Sequence, residues 1–212
     1  MTADLPGRIL LTLESANPSG SVKDRAAVAI IEAALREGAI GPGSTVVEST
    51  SGNFGIALAA VCRRHGLRCV CVIDVNTTGA NRFLIEQLGA EVELVTEPDL
   101  TGGYLANRIA RVEAYCRRDP TAFWPNQYAN RRNWQAHYDG TAREICDQLG
   151  RRIDFFFAAV SSAGTIMGCA RYLREHCDAV RVVAVDVVGS VIFGSEPRPR
   201  HIPGVGSSRI PE

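Results

Sequence analysis

Lysine is nearly missing from this chain: of 23 basic residues, 22 are arginine and one is Lys23. Net charge is missing too, since 23 acidic side chains balance them. That removes the basic excess that draws a protein to nucleic acid. No apolar run approaches the roughly 18 to 20 residues of a membrane span. The opening MTADLPGR has neither the basic nor the apolar stretch of a secretory signal. The expectation is a cytoplasmic protein with no nucleic-acid and no membrane partner. The seven cysteines form no Cys-x-x-Cys pair and no metal-ligand spacing. An odd, unpatterned set of thiols fits a reducing compartment and argues against a disulfide framework or a zinc site.

What is present is ordinary globular material: 212 residues, 46% hydrophobic and 22% charged, enough for one large domain or two small ones. Strand and helix patterns alternate. Strands are expected at 8–14, 45–48, 68–73, 91–95, 154–160 and 181–186. Helices are expected at 21–36, 53–65, 79–88, 103–117, 131–149 and 164–176, several of them stopped by glycine. This is the pattern of an α/β fold with parallel sheets flanked by helices. Such sheets bind ligands in the loops that follow the carboxyl ends of their strands. The Phe155-Phe156-Phe157 run reads as buried strand, and Cys69 and Cys71 should share a strand face. The segment 189–212 has no periodicity and reads as loop.

The lone lysine stands in Asn17-Pro-Ser-Gly-Ser-Val-Lys-Asp-Arg25, a turn leading into a helix. In a chain that uses arginine for surface cations, a retained lysine points to amine chemistry, because an amine deprotonates and attacks carbonyls while a guanidinium does not. A helix N-terminus also favours its neutral form. A solvated lysine beside Asp24 is the plain alternative. Two strand-to-helix loops are rich in small and hydroxyl residues: Glu48-Ser-Thr-Ser-Gly-Asn-Phe-Gly55 and Val160-Ser-Ser-Ala-Gly-Thr165. Either suits an anion at a helix N-terminus, and either is equally readable as an ordinary capped turn. One activated lysine and two anion cradles suggest pyridoxal 5'-phosphate, which offers an aldehyde, a phosphate and an electron-storing ring. The four histidines, at 65, 137, 176 and 201, show no catalytic or metal spacing, so each is read as a surface or satisfied side chain.

At these residues the chain resembles the fold-type II pyridoxal-phosphate enzymes of the cysteine synthase and cystathionine β-synthase family. NPSGSVKDR is similar to that family's lysine motif and TSGNFG to its asparagine loop. Asn126-Gln-Tyr-Ala-Asn130 resembles its Asn-Gln-aromatic segment, SSAGT its phosphate loop, and Gly204-Val-Gly206 its late glycine loop. The motifs occur in the family's order. Phe54 stands where the family usually has threonine, and Ser161 and Ala163 replace usual glycines.

The resemblance implies a tryptophan synthase β-subunit-like fold with a smaller α/β domain over 26–125. A larger, cofactor-binding domain would comprise 1–25 and 126–212, with its C-terminal part missing. Lys23 would carry the cofactor as an imine and then act as base at Cα. Asn53 would bond the ring hydroxyl, and Ser161, Ser162, Ala163, Gly164 and Thr165 would hold the phosphate. Thr50, Ser51, Gly52, Gln127 and Gly204 would contact the substrate. The reaction would be β-replacement on an activated L-serine in a homodimer. Asp186 to Gly194, Phe54 and Gln127-Tyr-Ala-Asn130 lean toward the siderophore-pathway enzymes that make the 2,3-diaminopropionate precursor. Those join O-phospho-L-serine to L-glutamate, giving N-(2-amino-2-carboxyethyl)-L-glutamate. A cysteine synthase using sulfide is the alternative, and a truncated, non-catalytic remnant is the alternative of another class. No residue can be assigned to face the pyridine nitrogen.

Overall fold

The computed structural model describes residues 7–100 and 102–211. Six strands and seven α-helices are found among them. These are α1 (Lys23–Arg36), β1 (Thr45–Ser49), α2 (Asn53–Arg64), β2 (Arg68–Asp74), α3 (Gly79–Gln87), β3 (Glu91–Val95), α4 (Leu105–Arg118), β4 (Ala122–Phe123), α5 (Arg131–Ala136), α6 (Arg143–Leu149), β5 (Phe155–Ala159), α7 (Gly164–His176) and β6 (Arg181–Val185). No helix among the described residues is long and apolar enough to cross a membrane.

A four-stranded sheet runs β3-β2-β1-β4 with every pair parallel. Its central strands are buried on both faces, which is why β1 and β2 read as near-continuous apolar runs. Val46, Cys69, Cys71 and Ile73 face one way, into a core closed by Ile30 and Ile31 of α1 and Leu58 of α2. Cys69 and Cys71 do share that face. Val47, Val70 and Val72 face the other way and pack with Val112 of α4. Helix α2 ends at Gly66, whose φ of 65° turns the chain back toward β2.

A separate parallel pair, β5 and β6, is joined by the α7 crossover in register Phe155↔Arg181 to Ala159↔Val185. Helix α7 covers one of its faces through Ile166, Leu173 and Cys177. The opposite face is bare: Phe155 and Phe157 stack at 5.9 Å and are 50% and 62% exposed. Only Phe156 of the phenylalanine run packs inward, so the expectation that the run is buried holds for one residue of three.

Three other expectations need correction. Residues 8–13 form no strand: they have no ladder partner, and Ile9, Leu10, Leu11 and Leu13 are exposed. Apolar sequence alone does not make a strand without a neighbouring edge to bond. The expected helix 131–149 is instead α5 and α6 joined by a π-helical stretch, His137–Ala142. The two-residue strand β4 lies in a stretch read as irregular, too short to carry a period.

The bare face of β5 and β6 and the exposed 9–13 side chains carry a stability consequence. Burying a few hundred Å² of apolar surface is worth several kcal/mol at about 25 cal/mol per Å², comparable to a domain's whole stability. The 212-residue chain is therefore expected to self-associate or aggregate. Light scattering that shows a monodisperse, cooperatively melting monomer would contradict this.

Candidate active site

Lys23 is the first residue of α1, which no side chain caps in the usual way. Instead the Lys23 N–H donates to Ser21 Oγ at 3.3 Å, and Asp24 reaches back to accept from the Ser19 N–H at 3.1 Å. The side chain keeps some exposure, but the amine lies in dense surroundings. Burial lowers its pKa from 10.5 to about 8. An appreciable part of it is therefore neutral at mildly alkaline pH, which the sole-lysine argument requires.

The amine donates to Ser162 Oγ at 3.1 Å. That hydroxyl also accepts from Asn133 Nδ2 at 3.2 Å, and the same Nδ2 donates to the Gln127 carbonyl at 2.7 Å. The Gln127 N–H in turn donates to Glu48 Oε2 at 3.2 Å. One hydrogen-bonded chain thus joins the lysine turn, the 161–165 loop, α5, the 126–130 segment and the end of β1. Of the residues expected from sequence, it brings Lys23, Ser162 and Gln127 together. Glu48 lies two residues before Thr50, which is itself buried.

Within the 161–165 segment Ala163 is left-handed at φ 60°, and no side chain caps the N-terminus of α7 behind it. Gly164 is there because Asn133 lies against it: a Cβ at 164 would fall 2.1 Å from Asn133 Oδ1. Thr165 Oγ1 is 3.2 Å from His137 Nε2, and His137 Nδ1 is 2.9 Å from Thr141 Oγ1. His137 is fully buried and its pKa falls to about 3, chiefly through burial and then through the charges of Lys23 and Arg25. It is a neutral, satisfied histidine, as the sequence suggested.

Elsewhere the expected residues sit apart from this chain. Asn53 opens α2 and is exposed, with no side-chain hydrogen bond among the described residues. The Ser51 carbonyl accepts from Asn81 Nδ2 at 3.0 Å. Gly52 is the N-cap of α2. Gly204 is exposed, while its neighbour Gly206 is buried and donates its N–H to the Val160 carbonyl at 2.7 Å, which lays the late loop beside the end of β5.

Four residues of this region were given no role from the sequence, although Glu48 and Tyr128 lie inside motifs named there. Asn133 and Glu48 complete the hydrogen-bonded chain, and Asn133 Oδ1 is buried with no partner among the described residues. The signals were faint: one charged residue in an apolar strand, and one asparagine on a helix face. Tyr128 and Arg108 are the others. Arg108 Nε stands 3.3 Å from Asp74 Oδ2, but neither Nε nor Nη1 is aligned to a hydrogen-bond partner among the described residues, although both are buried. Arg108 acts electrostatically on Tyr128, whose phenol is pushed up by burial.

These groups fit pyridoxal phosphate. A buried amine that sheds its proton easily suits an aldehyde. The uncapped start of a 13-residue helix, approached through a left-handed residue, suits a phosphate.

Known proteins agree with this reading. A curated relative, N-(2-amino-2-carboxyethyl)-L-glutamate synthase from Ralstonia nicotianae, is 48% identical over 204 residues, covering 96% of this chain and 60% of that protein. The O-acetylserine dependent cystathionine β-synthase from Helicobacter pylori superposes with a TM-score of 0.87 at 36% identity, over 94% of this chain and 64% of that one. O-ureido-L-serine synthase superposes at 0.84 with 34% identity, over 94% and 62%. The chain thus spans under two thirds of the length of each. The family model described as "Pyridoxal-phosphate dependent enzyme" matches residues 1–212. Lysine turn, uncapped helix and whole-length match converge on one conclusion: the chain belongs to the pyridoxal-phosphate dependent enzyme family.

Proposed function

We propose that this chain carries the cofactor-binding part of an enzyme that performs β-replacement on O-phospho-L-serine with L-glutamate. The products would be N-(2-amino-2-carboxyethyl)-L-glutamate and phosphate, within 2,3-diaminopropionate and siderophore biosynthesis. The observation that carries the reading is the hydrogen-bonded chain from Lys23 through Ser162, Asn133 and Gln127 to Glu48. It links the Lys23 amine, the 161–165 loop and Gln127, which supports reading the loop as the phosphate site and Gln127 as part of the carboxylate site. The name of the Ralstonia relative supports the substrate pair.

Each residue then has a task. Lys23 holds the cofactor, and its Nζ, freed, takes the proton from the substrate Cα; a pKa of about 8 makes the neutral amine available for both. Ser162 Oγ orients that amine. The N–H groups of Ser161, Ser162, Ala163, Gly164 and Thr165 hold the phosphate at the start of α7, with Asn53 for the ring hydroxyl. Thr50, Ser51, Gly52 and Gln127 grip the amino acid's carboxylate, and the loop at Gly204 borders the substrate. Pyridoxal phosphate supplies the electron-withdrawing ring that acidifies Cα.

The same reading divides the chain into a smaller domain, 26–125, and a larger one, 1–25 and 126–212, in keeping with the two separate sheets. It makes the protein a cytoplasmic homodimer. Product analysis tests the function. The chain with pyridoxal phosphate and O-phospho-L-serine should release phosphate and form the carbon–nitrogen product with L-glutamate. Cysteine formed with sulfide, and no product with glutamate, would establish the sulfhydrylase reading. Absence of the attached cofactor's absorbance band from the loaded chain would favour a non-catalytic remnant.

A further inference from the structure

Glu48 is the one ionisable side chain of β1 and is 1% exposed. An isolated buried carboxylate is costly unless hydrogen bonds satisfy it, and a valine would pack well in this strand. What Glu48 has instead is donors. The Ser49 N–H and Trp124 Nε1–H reach Oε1 at 2.8 and 3.0 Å, and the Gln127 N–H reaches Oε2 at 3.2 Å. The Asn126 N–H also acts on it, from a residue held left-handed at φ 46°. No ion-pair partner meets it among the described residues.

Between β4 and α5 the chain has no regular structure. Among the described residues, this segment bonds to the four-stranded sheet through the Glu48 carboxylate. One side of the carboxylate leads directly into the 49–53 loop; the other ends on Gln127.

We propose that Glu48 is a positioning residue whose carboxylate latches the 49–53 loop to the Trp124–Gln127 segment, and so fixes the two halves of the amino-acid carboxylate grip relative to each other. The idea rests on the reading of Thr50, Ser51 and Gln127 as that grip. Glutamate is required because an ionised carboxylate only accepts, and every group around it donates. Glutamine has the same shape but turns an N–H₂ toward a donor.

Burial raises the Glu48 pKa to about 7, against the lowering effect of its hydrogen bonds. The latch therefore weakens as pH falls through that value, when one oxygen becomes a donor. The titratable groups facing it are the Cys71 thiol, its partner across the ladder on β2, the Cys69 thiol two residues before it and the Tyr128 phenol; Cys69 and Tyr128 are shifted upward.

The test compares the wild-type chain with Glu48→Gln and with Trp124→Phe, which removes one donor and keeps the packing. Amide hydrogen exchange read by mass spectrometry on the unloaded chain should quicken in 49–53 and 124–130 together. The expected factor is about ten or more in Glu48→Gln, where a buried donor is left unpaired, and smaller in Trp124→Phe. Exchange in α7 should not change. With pyridoxal phosphate bound, half-saturation by O-phospho-L-serine should rise by about tenfold in Glu48→Gln, while the cofactor band and the rate at saturation stay within about twofold. The weakening of binding below pH 7, present in wild type, should be absent in the variant. Unchanged exchange in both segments, or a variant that keeps the wild-type pH profile, overturns the latch. A wild-type chain that responds to no activated serine instead overturns the proposed function, and exchange still decides the latch.

Discussion

Lys23→Ala is expected to lose all turnover and the absorbance of the attached cofactor, because no other lysine exists in the chain to replace it. Lys23→Arg should fail equally: it restores the charge and the hydrogen bond to Ser162 but not an amine able to attack an aldehyde. Borohydride treatment of the loaded protein, followed by peptide mapping, should place the label on Lys23. Label on the N-terminal amine would overturn the assignment. The loss should not be a folding defect. Burial lowers the Lys23 pKa from 10.5 to about 8, so the charged amine is a cost to the native state. The sign follows from linkage: between those values the unfolded chain binds more protons, so wild-type stability rises with pH from about 8 toward 10.5. Lys23→Ala removes that rise and is expected to melt no lower than wild type at pH 7. Melting curves at pH 7 and pH 10 separate the two effects.

Gly164→Ala is expected to damage the site nearly as much, although it adds one methyl group. The new Cβ would lie 2.1 Å from Oδ1 and 2.5 Å from Cγ of Asn133, closer than any real contact. Asn133 cannot swing away cheaply, since its Nδ2 is bonded to both Gln127 and Ser162. Either those bonds break or the start of α7 shifts, and both disturb the 161–165 loop proposed to hold the phosphate. Charge-assisted hydrogen bonds are worth about 1.5 to 3 kcal/mol each, so misplacing two weakens cofactor binding roughly a hundredfold or more. Thr165→Ser keeps the hydroxyl facing His137 and should change binding by less than about threefold. Fluorescence or absorbance titration with pyridoxal phosphate measures both. Small, equal effects would show that the phosphate is held elsewhere.

The parts of this site that sequence makes legible are those whose chemistry is local. A lone lysine after a Pro-Ser-Gly turn, and small hydroxyl loops between strand and helix, stand out as candidates within ten residues, although the loops read equally as capped turns. Helix α7 and strand β3 fall where the periodicity places them, because a glycine or a change of period marks their ends. Partners brought from afar leave no such mark. Asn133 matters because Gly164, 31 positions on, has no side chain, and neither residue alone says so. Glu48 reads as an oddity in a strand until Trp124 and Gln127 arrive on it. The 8–13 segment fails for the opposite reason: its pattern is that of a strand, but a strand needs an edge to bond, and composition cannot supply one.

The π-helical stretch at His137–Ala142 works as a phase shifter. A helix advances about 100° per residue, and one extra residue within a turn resets which side chains face a neighbour. At its start, Asn133 of α5 and His137, the first residue of the π stretch, face the first half of α7, where Gly164 and Gly168 let the two backbones close in; a Cβ at 168 would sit 2.1 Å from the Trp134 carbonyl oxygen. At its end, Ala142, the last residue of the stretch, and Cys146 of α6 pack on Cys169 and Leu173 of the second half and on Cys177 just beyond it. A continuous α-helix drawn through the same residues would leave one of these faces turned about a quarter circle away from α7. The inserted residue thus lets a single rod keep step with a second one at both ends, with polar contacts beside the 161–165 loop and an apolar seam at the other end.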